Sequence, residues 1–165
     1  MNSDAIEIIP RMRETTMDGG GKTQKNIELA TFYVGEALCG MNILQIQEIN
    51  KIMQLTPVPQ APEYVMGVLN LRGKIVTILD LAKKLGLGDT AIDENSRNII
   101  VNTHDGSAGV LVSRISDVVT AETSSMEKPP TNMSGIQGNF FAGVFKTENT
   151  LIGVLDLDKV MGLEE

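Results

Sequence analysis

One cysteine, one histidine and no long apolar or basic run set the first limits on this 165-residue chain. With Cys39 alone, no intramolecular disulfide can form, and a Cys-rich metal centre is excluded. Cys39 also lies in an apolar strand with no histidine nearby in sequence, which makes a buried structural thiol the default. His104 falls in a His104-Asp105-Gly106 turn, where a solvated loop residue fits better than a catalytic base. No spacing of Cys, His and acids resembles a metal site, and no cofactor is expected. No stretch approaches the roughly 20 apolar residues of a membrane span, and the N-terminus has no apolar signal core. A formal net charge of −7 with no basic run opposes phosphate neutralisation, so neither nucleic acid nor an anionic membrane is an expected partner. These absences predict a soluble, cytoplasmic, non-enzymatic protein without direct membrane insertion. At 42% hydrophobic residues the chain has enough apolar material to fold unaided, as one domain or two small fused ones.

What the sequence has in abundance is itself. Residues 74–87 align without a gap on residues 150–163, an offset of 76, with Leu79/Leu155, Asp80/Asp156, Leu81/Leu157, Lys83/Lys159, Gly86/Gly162 and Leu87/Leu163 identical. Gly67-Val68 and Gly143-Val144 continue that register upstream. A weaker echo at an offset of 69 pairs Gly40 with Gly109, Ile43 with Val112, Ile46 with Ile115, Glu48 with Asp117 and Ile49 with Val118. Self-similarity at a long period marks one supersecondary unit used twice, which predicts two homologous β-rich halves.

Residues 1–26 are polar and mixed in charge and read as a flexible tail. Gly21-Lys22-Thr23 invites a phosphate-loop reading, but that loop needs a glycine where Thr16 stands and a strand leading in. Beyond the tail each half repeats one order of short elements. A hairpin comes first, 27–43 around Gly35-Glu36-Ala37 or 98–112 around His104-Asp105-Gly106. An acid-bearing segment follows, 46–55 or 115–121, and then a proline stretch, with Pro62 placed to open a helical turn through Met66. A last hairpin, 67–80 or 141–156, ends at Asp80 or Asp156, each able to cap a short helix over 81–85 or 158–161. Their matching places fit two caps better than one acid/base couple. About five short strands per half point to an all-β fold of two small barrels, about 27–88 and 97–163, joined by the Gly- and acid-rich segment 87–95.

The copies differ most at the last hairpin's tip, where Asn70-Leu71-Arg72-Gly73 stands opposite Lys146-Thr147-Glu148-Asn149. Gly73 permits a tight turn that would present Arg72 from a rigid platform, with Leu71 as an apolar neighbour at the loop tip. A solvated surface arginine and a docking point are both open readings. Glu48 is the second candidate; as an exposed pair with Arg72 it would contribute about 0–1 kcal/mol, so its use would be orientation and partner choice.

Three runs then carry a resemblance: Gln47-Glu48-Ile49, the stretch 56–74 from Thr56-Pro57-Val58-Pro59 to Asn70-Leu71-Arg72-Gly73-Lys74, and Ile78-Leu79-Asp80-Leu81. Together they resemble the CheW family of chemotaxis coupling proteins over about residues 27–163. The resemblance implies two five-stranded SH3-like β-barrels side by side, with strand exchange between halves allowed. It implies a non-enzymatic adaptor that links the cytoplasmic tip of methyl-accepting chemoreceptors to the histidine kinase CheA, through an apolar groove between the barrels and a barrel that pairs with the kinase's regulatory domain. Positions matching Ile46, Glu48 and Arg72 belong to that family's binding surface. In the second half Val112, Ile115 and Val118 are candidates for the groove wall, though apolar alternation in a strand is equally what a plain core gives. A groove between two barrels would suit the apolar face of a partner helix. A tail of 26 residues cannot hold a receiver or kinase domain, which favours a free-standing coupling protein. The rival reading is a small β-barrel enzyme or ligand-binding domain, whose sign would be a deep polar pocket holding His104.

Overall fold

Runs of five to nine residues with β-branched and aromatic side chains, each ended by a turn, give this chain strands in preference to helices. In the computed structural model the described residues are 14–16 and 23–162. Among them, in chain order, are β1 (Glu14–Thr16), β2 (Thr23–Val34), β3 (Ala37–Asn42), β4 (Ile46–Lys51), β5 (Val65–Leu71), β6 (Lys74–Asp80) and the one-turn helix α1 (Leu81–Lys84). Then come β7 (Arg97–Thr103), β8 (Gly106–Val112), β9 (Arg114–Glu122), β10 (Asn132–Met133), β11 (Ile136–Gln137), β12 (Phe141–Lys146), β13 (Leu151–Leu155) and α2 (Leu157–Met161).

The sheets do not follow the halves of the chain. One runs β4-β7-β8-β6-β5; the other runs β9-β2-β3-β13-β12, with β1 on the free end of β2. Each half therefore lends its first hairpin to the other: β7–β8 inserts between β4 and β6, and β2–β3 between β9 and β13. The parallel pairs β6/β8 and β13/β3 are the seams of that exchange. Both sheets curl into barrels by one device. The chain leaving β4 pairs Thr56 with Val68 of β5, and the chain leaving β9 pairs Glu127 with Val144 of β12. Gly67 and Gly143, one residue before each bridge, make room for the crossing chain. A Cβ on Gly67 would lie 2.6 Å from the Thr56 carbonyl oxygen, and φ there is +148°; a Cβ on Gly143 would lie 3.0 Å from that of Glu127. The bulges match as well, between Val65 and Gly67 in one half and between Phe141 and Gly143 in the other. Two SH3-like barrels, with few helices, are the architecture.

Alternation along the strands divides the apolar side chains among three cores. The largest lies between the barrels and draws on both, including Phe32, Cys39, Met41, Ile49, Leu81, Ile99, Val110, Ile136, Phe141 and Leu155. A smaller one sits on the other face of the first sheet around Leu69, Val76, Ile78 and Ile100, and its counterpart gathers Leu29, Phe145, Ile152 and Val154. Ile99 and Ile100 are sequence neighbours in different cores, as a pleated strand requires. Each fully buried side chain of this size contributes about 1.5–3 kcal/mol, so the shared core binds the barrels into one unit.

Both helices start at their aspartates: Asp80 accepts from the Lys83 amide and Asp156 from the Lys159 amide, each at 3.3 Å. Two sequence expectations need correction. Pro62 opens a single turn, its carbonyl accepting from the Val65 amide, and β5 begins there, because Val65 is already paired with Leu79 in the ladder. Part of the predicted tail is strand: Glu14–Thr16 pairs with Thr23–Lys25 through backbone groups, which polar residues supply as well as apolar ones. The rest of the tail, with Gly21 and Lys22, lies outside the described residues.

Candidate functional site

The β5–β6 hairpin closes on two residues, with Leu71 paired to Lys74. Arg72 and Gly73 both have left-handed backbones, φ +54° and +84°, the type I′ geometry that matches the twist of paired strands. Asn70 holds the turn through its side-chain oxygen, which accepts from the Gly73 amide at 2.9 Å. For glycine this conformation is free; for Arg72 it costs about 1 kcal/mol. A strained residue at a rigid tip is a feature found at binding sites, and here the side chain is 65% exposed.

Arg72 Nη1 donates to Glu48 Oε2 at 2.8 Å. Glu48 is 3% exposed, so this is not the exposed pair expected from the sequence; one partner is buried and the other stands in water. A bulge between Ile46 and Glu48 in the β4–β7 ladder sets the carboxylate here, and the Asn50 amide reaches the same oxygen at 3.4 Å. The hydrogen bond from Arg72 holds the Glu48 carboxyl below the usual carboxylate range, against the opposing effect of burial. The tip of the second half is wider: Thr147 and Thr150 bond across it, and Lys146 makes an exposed contact with Glu127 at 3.6 Å. A clamped arginine is thus a property of the first copy.

The other predicted site residues separate by burial. Ile46 and Val112, 2% and 0% exposed, belong to the shared core and present no surface. Leu71 is half-buried on the Leu69, Val76, Ile78 and Ile100 cluster, so it supports the tip instead of standing free of it. Ile115 is half-buried against the shared core. Val118 is 54% exposed, whereas Ile49, its counterpart at the offset of 69, is 1% exposed. The matching ladders, Ile49 opposite Ile99 and Val118 opposite Ala30, make that contrast a like-for-like one.

Sequence reasoning missed an open cleft of about 880 Å³ on the outward face of β6. Tyr64, Ile75, Thr77 and Leu79 form its floor, with the β7–β8 turn on one side and Leu157 and Met161 of α2 on the other. Ile75 is 64% exposed, the most exposed large hydrophobic among the described residues. The signal was present in Ile75-Val76-Thr77-Ile78-Leu79, a strand apolar on both faces and therefore in need of cover on both. His104 sits at the rim with Nε2 3.7 Å from Asp158 Oδ1, both side chains well exposed. This is a shallow apolar surface and not a deep polar pocket. Ser107, beside it, accepts from the Gln47 amide. Cys39 is buried, and burial pushes its thiol up to about 12, which removes it as a nucleophile. Among the described residues no group of three His, Cys, Asp or Glu could hold a metal, and no helix is long and apolar enough to cross a membrane.

Comparison with known proteins agrees with this fold. Residues 28–165 match the family model described as the CheW-like domain. The chain is similar to the chemotaxis protein CheW of Treponema pallidum, 30% identical over 86% of this chain and 85% of that one. It is similar also to the chemotaxis protein CheW of Rhizobium meliloti, 34% identical over 84% and 89%. Among solved structures it is similar to the scaffolding protein TtCheW from Thermoanaerobacter tengcongensis, with a TM-score of 0.77, 31% identity, and coverage of 84% and 89%.

Proposed function

The chain belongs to the CheW-like family of chemotaxis coupling proteins, and from that premise we propose that it is a cytoplasmic, non-enzymatic adaptor joining the cytoplasmic tips of methyl-accepting chemoreceptors to the histidine kinase CheA. The observation that carries the reading is the Arg72 tip. A charged side chain held on a strained two-residue turn, oriented by a buried carboxylate, gives a partner a preformed contact with little ordering cost. Arg72 makes the contact, while Glu48 and Leu71 fix its position. On the second barrel Val118, with the accessible edge of Ile115, offers an apolar surface. Ile46 and Val112 act only by supporting the strands that carry these groups.

Co-sedimentation with receptor-containing membranes and CheA tests the proposal. A ternary complex with raised kinase activity is the expected result; failure to bind either partner would remove it. Glu48→Lys, which breaks the clamp, should weaken that complex.

A further inference from the structure

The first barrel buries an asparagine that has nothing to bond. Asn98 of β7 is 1% exposed, and neither its Oδ1 nor its Nδ2 has a hydrogen-bond partner among the described residues. Directly opposite it in the antiparallel ladder stands Asn50 of β4, 3% exposed. Facing residues of paired strands hold their Cβ atoms about 5 Å apart, where two carboxamides meet directly or across one water. Glu48 lies two residues back along β4, on the same face, and it is the Asn50 amide that reaches its Oε2 at 3.4 Å. Across from Glu48 is Ile100, a member of the Leu69, Val76 and Ile78 cluster. One carboxylate and two carboxamides thus form a buried polar strip beside an apolar core, behind the hairpin tip that carries Arg72.

The second barrel shows that the fold does not require this strip. At the offset of 69, Leu29 answers to Asn98 and Val119 to Asn50, and the ladders agree, since Leu29 stands opposite Val119 as Asn98 stands opposite Asn50. Leu29 is fully buried and Val119 packs against its cluster. Burying two carboxamides where a leucine and a valine fit forfeits apolar contact and leaves polar atoms unpaired, so stability does not account for the asparagines. What changes along with them is the acid: Glu48 is buried, whereas its counterpart Asp117 is exposed. A carboxylate in water needs no support from inside the barrel. A buried one whose guanidinium partner is 65% exposed gains most from a donor that solvent cannot displace.

We propose that Asn50 and Asn98 are positioning residues for the Arg72 contact: Asn98 orients the Asn50 carboxamide so that its amide faces Glu48, and Asn50 in turn holds that carboxylate aimed at the hairpin tip. An asparagine presents its oxygen or its nitrogen at similar steric cost, and the wrong choice would set oxygen against carboxylate. A donor from Asn98 to Asn50 Oδ1 makes the right choice, because it leaves Asn50 Nδ2 turned toward Glu48. As an account of how the tip is held ready for a partner, the inference rests on the proposed function.

A carboxyl-carbon NMR titration of the full-length protein tests the strip without any partner. Asn50→Val and Asn98→Leu, which install the residues of the second barrel, should each lower the Glu48 ionisation constant at least about threefold, and the double variant should match Asn50→Val because Asn98 acts through Asn50. Wild-type titration of Glu48 in either single variant would overturn the inference. Asn98→Ala, which only removes atoms, gives the same reading should the leucine variant fail to fold. Binding to CheA and to a receptor fragment is then compared on two backgrounds. Both single variants should weaken binding to at least one of the two about threefold in the wild-type background and leave it unchanged on Glu48→Gln. Equal losses on both backgrounds would show a packing role only, and wild-type affinity for both partners would show that the contact does not depend on the strip; either overturns the inference. A shifted Glu48 titration in a protein that binds neither partner would support the positioning of Glu48 and refute the adaptor.

Discussion

Truncating Arg72 to alanine should convert Glu48 from a stabilising into a destabilising group, and the dependence on pH should reveal it. In the intact protein the 3% exposed carboxylate has a guanidinium at 2.8 Å and a weak amide donor at 3.4 Å. Removing one member of a buried pair costs roughly 3–5 kcal/mol. Here the guanidinium is 65% exposed and its attraction is screened by water, so the expected loss near pH 7 is about 1–3 kcal/mol. The native Glu48 pKa lies below its unfolded value, so its contribution is present above the unfolded pKa and lost as pH falls through the folded one. Without Arg72 burial dominates and the folded pKa rises above the unfolded value; the penalty then present near pH 7 is relieved on acidification. The difference between wild type and Arg72→Ala should therefore shrink between about pH 7 and pH 4. Urea unfolding followed by far-UV circular dichroism measures it, a suitable probe for a chain without tryptophan. On a Glu48→Gln background Arg72→Ala should cost under about 0.5 kcal/mol. Equal losses at both pH values, or on both backgrounds, would refute the clamp.

Four further substitutions test the architecture. Gly67→Ala forces a Cβ against the Thr56 carbonyl at a φ that favours glycine; it should cost about 2–4 kcal/mol and speed amide exchange at Thr56 and Val68. Asp80→Ala should cost about 2–3 kcal/mol but Asp156→Ala only about 1, because Asp80 accepts from both the Thr90 amide and hydroxyl besides capping its helix. Equal thermal midpoints would contradict this. Ile136→Ala should cost about 2–5 kcal/mol in calorimetry if β10–β11 is an integral cover, and little if the hairpin is loosely laid on the surface.

The repeat was legible because identical positions do identical work. The offset of 76 reappears as matching bulges, matching caps at Asp80 and Asp156, and matching barrel closures. Exchange of the hairpins was not legible beyond being allowed, since the backbone groups along β4 and β9 accept any strand of suitable register, and side-chain alternation is the same in either barrel. The step in offset from 69, over the first hairpins and β4/β9, to 76 over the last hairpins marks the longer connection in the second half, which carries β10 and β11. At the site, Arg72 could be read from Gly73 and the contrast with Lys146-Thr147-Glu148-Asn149. Glu48 and its pairing with Arg72 could be read too, but not its burial, because the bulge beside it leaves no mark on composition. Ile46, taken from the resemblance, and Val112, taken from a strand whose apolar alternation reports burial first, both lie in the core.

A duplicated fold contains its own control, and three departures from symmetry stand out against it. The Arg72 turn is strained and clamped where its counterpart is broad; Ile75 is exposed where its counterpart Leu151 is half-buried; Val118 is exposed where Ile49 is covered. Stability alone would favour the covered or relaxed version of each, since the other copy demonstrates that this fold can provide it. Arg72 and Ile75 lie three residues apart on one hairpin, so two of the three departures fall on a single element of the first barrel. The hairpin is held from behind by the Glu48 clamp and by Val76 and Ile78 in the core, which leaves its outward face free to meet a partner without loosening the barrel that carries it.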